Sequence, residues 1–176
     1  PLEAEDLCLQ GMADASPPKW HLAHTTWFFE TFVLIPHCPG YEGADARWSY
    51  LFNSYYDAVG PRQPRPQRGL LSRPPMAEVI AWRHKVTQAL ADLLQGNGES
   101  PWVELVELGL QHEQQHQELM LMDLLDAFSR QPLEPAYRTD WQEPEEDSHD
   151  RTPPVWLPSA GGLVEIGQDT QQHGGT

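Results

Sequence analysis

An all-α bundle of four helices is the fold class this sequence predicts, and three observations carry it. Ser16-Pro17 and Ser100-Pro101 each have the signature of an N-cap residue followed by proline at the first helical position. The runs behind them, and a third run in between, keep apolar residues at helical spacing over long stretches without a breaker. Strand-like alternation is confined to the last part of the chain.

Taken in order, residues 1–15 read as the end of a preceding helix and its loop. The first bundle helix spans Lys19 to Ile35 and stops at Pro36, with His24, Trp27, Phe28 and Thr31 on one core-facing stripe. His21 lies three residues before His24 on nearly the same face, and periodicity alone does not choose between the two histidines. After the turn-rich PHCPGYEGA (36–44), a second helix is predicted from Asp45 to Val59, closed by Gly60, with Tyr50, Leu51, Ser54, Tyr55 and Ala58 as its packing stripe.

The stretch GPRQPRPQRGLLSRPP (60–75) holds Arg62, Arg65, Arg68 and Arg73 and no acid. It is either a proline-rich solvated loop or, in an acidic chain, a place to hold a carboxylate by bidentate bonds. A third helix starts near Pro75 and ends at QGNG, burying Val79, Trp82, Val86, Leu90 and Leu93. The fourth runs to about Phe128 and carries Leu105, Leu108, His112, His116, Leu119 and Met122 on an inward stripe. Residues 131–154, with the acidic EPEED segment and no period, read as a linker. VWLPSAGGLVEIGQD alternates like a strand and is read as the entry to a second domain that the chain truncates. The predicted organisation is a helical bundle over 1–130, a linker over 131–154 and the start of that domain over 155–176.

With 176 residues the chain has room for one domain and an appendage. It opens on PLEAED without Met and stops at QQHGGT, as a piece of something longer would. The formal charge of −15, from 26 acidic and 11 basic residues, argues against nucleic acid and anionic membranes as partners. No apolar run is long enough to span a bilayer and no signal-peptide pattern opens the chain, so a soluble, cytoplasmic protein is expected. Cys8 and Cys38 form no C-x-x-C and are expected to be reduced thiols.

The chemistry concentrates in QHEQQHQELMLMDLL (111–125). His112 and His116 stand four apart on a predicted helix, where side chains lie about 5–6 Å apart on one face and two imidazoles can reach one metal ion. Inward histidines in an apolar bundle have few partners other than a metal or each other. The spelling also fits H-E-x-x-H, the zinc-peptidase helix with Glu113 as general base. An all-α bundle tells against that reading, since the peptidase class needs a sheet edge for its substrate and a separate third ligand downstream.

SPPKWHLAHTTWFFE, YLFNSYYDAVGPR, RGLLSRP and HEQQHQELML together resemble the N-terminal DinB-like domain of the ergothioneine-biosynthesis sulfoxide synthases. GGLVEIG resembles the first strand of their C-terminal formylglycine-generating-enzyme-like domain, so the likeness covers the chain from about Asp14 onward. The resemblance implies a non-haem Fe(II), O2-dependent enzyme that joins a cysteine-containing thiol, γ-glutamylcysteine or cysteine, to the imidazole C2 of hercynine as a sulfoxide. It implies His24, His112 and His116 as metal ligands, because the family's L-A-H signature falls on Leu22-Ala23-His24 and the position of His21 is not a ligand in that pattern. Gln115 resembles the residue that meets the substrate imidazole, and Arg62 and Arg65 match the R-x-x-R that receives the thiol's carboxylates. The family's tyrosine proton donor and much of the hercynine pocket belong to the C-terminal domain, so this chain is expected to be the metal-binding part and inactive alone. Two other classes stay open: a DinB-like zinc-dependent thiol transferase, and a non-catalytic helical module stapled by its metal.

Overall fold

Helix α1 (Pro18–Phe29) is central because its sequence, PKWHLAHTTWFF, offers no solvent face: every residue but Leu22 is buried. Its polar groups are satisfied locally. Thr25 and Thr26 donate back to Leu22 O, and Lys19 Nζ reaches Leu71 O. Around it pack α2 (Arg47–Phe52), α3 (Met76–Gly96) and α4 (Val103–Ser129). The computed structural model describes residues 2–96, 100, 102–142 and 155–167, and among these all regular structure is helical. No helix among them is long and apolar enough to cross a membrane, and Cys8 and Cys38 are unpaired.

The first helix differs from expectation at both ends. It begins at Pro18, one residue ahead of Lys19, and Pro17 rather than Ser16 stands at the N-cap, since Ser16 Oγ accepts from Arg68 instead of capping. Pro36 does not stop it. Residues Glu30–Leu34 wind as a π-helical turn, Ile35 N–H closing on Glu30 O, and the helical path continues through Ile35–His37. The wider turn gives the Pro36 ring room against the carbonyl it would meet in a regular helix.

The second helix ends at Phe52 rather than near Val59. Asn53 turns extended (φ −64°, ψ 148°), and its amide donates to the carbonyls of Tyr56 (3.3 Å) and Gly60 (2.9 Å), holding residues 53–60 as a side-chain-tied loop. An asparagine that can bond nearby backbone competes with helix propagation. The expected stripe breaks up with it: Tyr50 and Tyr55 are exposed, and Phe52, 1% exposed, carries the burial.

Helix α3 buries Val79, Trp82 and Val86 as predicted, with Leu90 and Leu93 partly covered. Helix α4 is rotated from the predicted stripe. Leu108 and Met122 are 55% and 64% exposed, while Val106, Gly109, Leu124 and Phe128 face inward. Gly109 explains the rotation, since a Cβ there would lie 2.4 Å from Phe29 Cε1, so only glycine lets α4 approach α1 along this line.

The chain divides into two compact units, Pro1–Asp140 and Trp141–Thr176. The boundary falls inside the segment read as a linker, of which residues 143–154 lie outside the described residues. The strand expected after Val155 does not form among the described residues 155–167, which are irregular and exposed. Extended backbone needs a ladder partner, and no second strand occurs among the described residues. At the other end, the 3-10 turn Asp6–Cys8 is the only regular element before α1 among the described residues.

Candidate metal centre

His24 leaves α1 one turn after Trp20, and the two rings stack at 4.6 Å, with Trp27 stacked on His24 at 5.6 Å. Nδ1 of His24 lies 2.6 Å from Phe52 O. A carbonyl can only accept, so Nδ1 carries the proton and Nε2 presents its lone pair. That lone pair faces Nε2 of His112 at 3.1 Å. Two nitrogens bound at right angles to one ion, each at about 2.1 Å, stand about 3.0 Å apart, so this pair has the spacing of neighbouring ligands. His116, one turn along α4, completes a triangle whose ring centroids are 4.5–4.9 Å apart. One ligand atom from each of the three histidines lies within 4.8 Å of the others, and the trio could hold a metal ion.

The electrostatics keep these rings neutral, as ligation requires. Burial, reinforced by His116, holds the His24 pKa well below its ordinary value. Burial lowers His112 as well, and burial together with His112 and His21 pushes His116 down to about 3. His112 packs its ring against Phe28, and its Nδ1 is buried without a hydrogen-bond partner. His21 does not join the trio. Its Nδ1 lies 2.8 Å from Nδ1 of His116 and its Nε2 3.2 Å from Asp123 Oδ2.

A cavity of about 260 Å³ opens beside the three histidines, lined also by Trp20, Tyr55, Tyr56, Arg65, Arg68 and Gln115. Gln115 therefore reaches the site from the helix that bears the pair. Of the two arginines expected there, Arg65 lines the cavity, donating to Tyr55 Oη and Asp14 O. Arg62 stands outside it, paired with Asp57. Arg68 takes the inner position. It is 3% exposed, lies over the Trp20 ring at 3.4 Å, and donates to Ser16 Oγ and Ser54 Oγ, while its Nε meets no partner. Burial and the neighbouring Arg65 pull its pKa down to about 10. The cause is local: Arg65–Leu70 is a 3-10 turn, in which residues three apart eclipse, so Arg65 and Arg68 share an edge and Arg62 precedes the turn. Sequence reading placed Arg68 in the loop without distinguishing it; the even spacing of the arginines hid which pair the turn would align.

Glu113, the general base of the peptidase reading, points elsewhere. It pairs with Arg83 on α3, which also donates to Thr25 and Thr26, and it does not line the cavity. H-E-x-x-H here is a histidine pair with a structural glutamate between. No family model matches the chain, and no curated protein matches it.

Proposed function

We propose that this chain is the metal-binding, DinB-like part of a non-haem Fe(II), O2-dependent sulfoxide synthase of ergothioneine biosynthesis, with His24, His112 and His116 as its ligands. The observation that carries the reading is the open trio: three neutral imidazoles beside a cavity whose inner wall is a buried arginine without a carboxylate partner. The donor set fits Fe(II). Three nitrogen ligands leave positions for substrate and dioxygen, as the facial triads of non-haem iron oxygenases do. Among the described residues no fourth His, Cys, Asp or Glu joins the group, which favours an open site over a closed structural staple. When bound, the ion supplies the oxygen-dependent coupling: the thiol S–H and the hercynine C2–H are given up, C–S and S=O bonds form, and the second oxygen leaves as water.

The chain's own residues bind and orient. In this −15 chain, Arg65 and Arg68 are the cations of a lining that also holds Asp14 and Asp123, and they are the groups able to pair with the carboxylates of a thiol such as γ-glutamylcysteine or cysteine. An incoming carboxylate gives the Nε of Arg68 the acceptor it lacks in the protein. Gln115 presents an amide to the cavity, able to meet the hercynine imidazole as donor or acceptor. Arg62, tied to Asp57, is assigned to the rim.

Anaerobic loading with Fe(II) followed by elemental analysis tests the centre. The parent is expected to hold one iron per chain, and His24→Ala, His112→Ala and His116→Ala each to lose it. A parent that retains Zn(II) but discriminates against Fe(II) would instead favour the zinc-dependent thiol transferase, whose ion the same imidazoles suit.

A further inference from the structure

We infer that His21 and Asp123 are positioning residues that fix the ring of His116 as a metal ligand through a hydrogen-bonded chain, an inference that rests on the proposed metal centre. Asp123 lies two turns beyond His116 on the same side of α4, and His21 reaches from α1 to bridge them. Both side chains are sheltered, 5% exposed for His21 and 15% for Asp123. The carboxylate is itself held in place, since Asp123 Oδ2 accepts Ser16 N–H at 2.8 Å just ahead of α1.

Proton accounting gives the chain a direction. With Nδ1 of His116 facing His21, Nε2 is the nitrogen left for the ion, and a ring that ligates through Nε2 keeps its proton on Nδ1. His116 Nδ1–H then donates to Nδ1 of His21, and His21 donates its Nε2–H to Asp123. The opposite direction would put the proton of His116 on Nε2 and deny the ion its lone pair. Metal-bound histidines commonly give their second N–H to a carboxylate or carbonyl, which fixes the tautomer and strengthens the donor. His24 does this in one step through Phe52 O; His116 does it in two, through a second imidazole.

The test uses the chain loaded with Zn(II) for nitrogen-15 NMR of the histidine rings, and with Co(II) for its visible spectrum. In the parent, His116 is expected with a protonated Nδ1 and a coordinated Nε2, and His21 with its proton on Nε2. Asp123→Asn keeps the shape but offers an amide N–H that can reverse the chain. It should retain one ion per chain, weaken Zn(II) by roughly 10–100-fold in a chelator competition and shift the Co(II) bands. His21→Gln, which keeps an acceptor for His116 but removes the link to Asp123, should weaken Zn(II) less than Asp123→Asn. Thermal midpoints of the metal-stripped variants separate misfolding from altered ligation. Coordination of His116 through Nδ1, or an Asp123→Asn variant with the parent's Zn(II) affinity and Co(II) spectrum, would overturn the inference while leaving the metal centre standing. A parent that binds neither ion would remove the centre itself.

Discussion

Gly109→Ala puts one methyl group where α4 crosses Phe29, and the outcome can be worked from the contact distances. In an ordinary helix interior the change would gain about 1 kcal/mol, because glycine loses more backbone freedom than alanine on folding. Here the new Cβ would stand 2.4 and 2.7 Å from Cε1 and Cζ of Phe29 and 3.0 Å from Cε1 of Phe28. Carbon atoms rest about 3.5–4.0 Å apart, so the rings or the helix must yield by about 1 Å. Phe28 and Phe29 are both buried and pack edge to face, which leaves them little room. Overpacking costs about 1–3 kcal/mol. Set against the propensity gain, the net expectation is a loss of about 0–2 kcal/mol in urea unfolding of the metal-stripped chain, in place of the gain of about 1 kcal/mol at an open position. Phe28 also touches His112, one turn beyond Gly109, so the shift should separate the facing nitrogens of His24 and His112 and weaken Zn(II) at least tenfold. Phe29→Leu, which removes the obstructing ring atoms, should recover part of both losses, a coupling of about 0.5–3 kcal/mol in a double-mutant cycle. A Gly109→Ala chain about 1 kcal/mol more stable than the parent, as at an open helical position, would refute the close approach of α1 and α4.

Three further outcomes follow from the same geometry. The three imidazoles have pKa values depressed below 6.5, so the unfolded chain binds more protons than the folded one under acid conditions; the stability of the metal-stripped chain is fully present above about pH 6.5 and falls as pH drops toward 3, by about 1.4 kcal/mol per pH unit for each unmatched proton, and His116→Gln should flatten that slope in pH-resolved thermal melts. Arg68→Met should weaken γ-glutamylcysteine or cysteine binding to the Fe(II)-loaded chain by about 1.5–3 kcal/mol in calorimetry, whereas Arg62→Ala, outside the cavity, should change it little; the reverse order would return the carboxylate to Arg62. Glu30→Leu should cost about 3–5 kcal/mol in urea unfolding, because the buried carboxylate accepts from Tyr41 Oη, Trp82 Nε1 and Ala44 N, and a loss under about 1 kcal/mol would show that those donors find other partners.

Much of the helical fold is legible in sequence because its signals are local. The apolar row of α3 appears where periodicity places it, whereas α1 buries almost its whole circumference and exceeds the single stripe that periodicity places on it. What periodicity missed has identifiable causes. Asn53 diverts the chain out of α2 through side-chain bonds to carbonyls that lie beyond any helical repeat. Pro36 reads as a stop, but a π turn upstream accommodates it. The stripe of α4 is rotated because Gly109, silent in any hydropathy count, is the point of closest approach to α1.

The site divides along the same line. His112 and His116 are legible as a pair because their relation is a property of one helix, four residues of a 3.6-residue repeat. The choice between His21 and His24 is not legible in periodicity and rests on the family likeness alone, because both leave α1 on nearly the same face and the difference is made by groups far along the chain. His24 meets Phe52 O and thereby turns a bare nitrogen toward α4, while His21 meets Asp123 and His116 and has both nitrogens engaged. The arginines follow the same logic. Four cations in one loop look equivalent until a 3-10 turn of six residues aligns Arg65 with Arg68 and leaves Arg62 to Asp57. In each case the residue type advertises a capacity, to ligate or to hold an anion, and the hydrogen-bond partner supplied by the fold decides which copy of that residue is free to exercise it. Nε of Arg68 shows the same division, since it is buried without a partner beside the three histidines whereas Arg62 is already paired with Asp57.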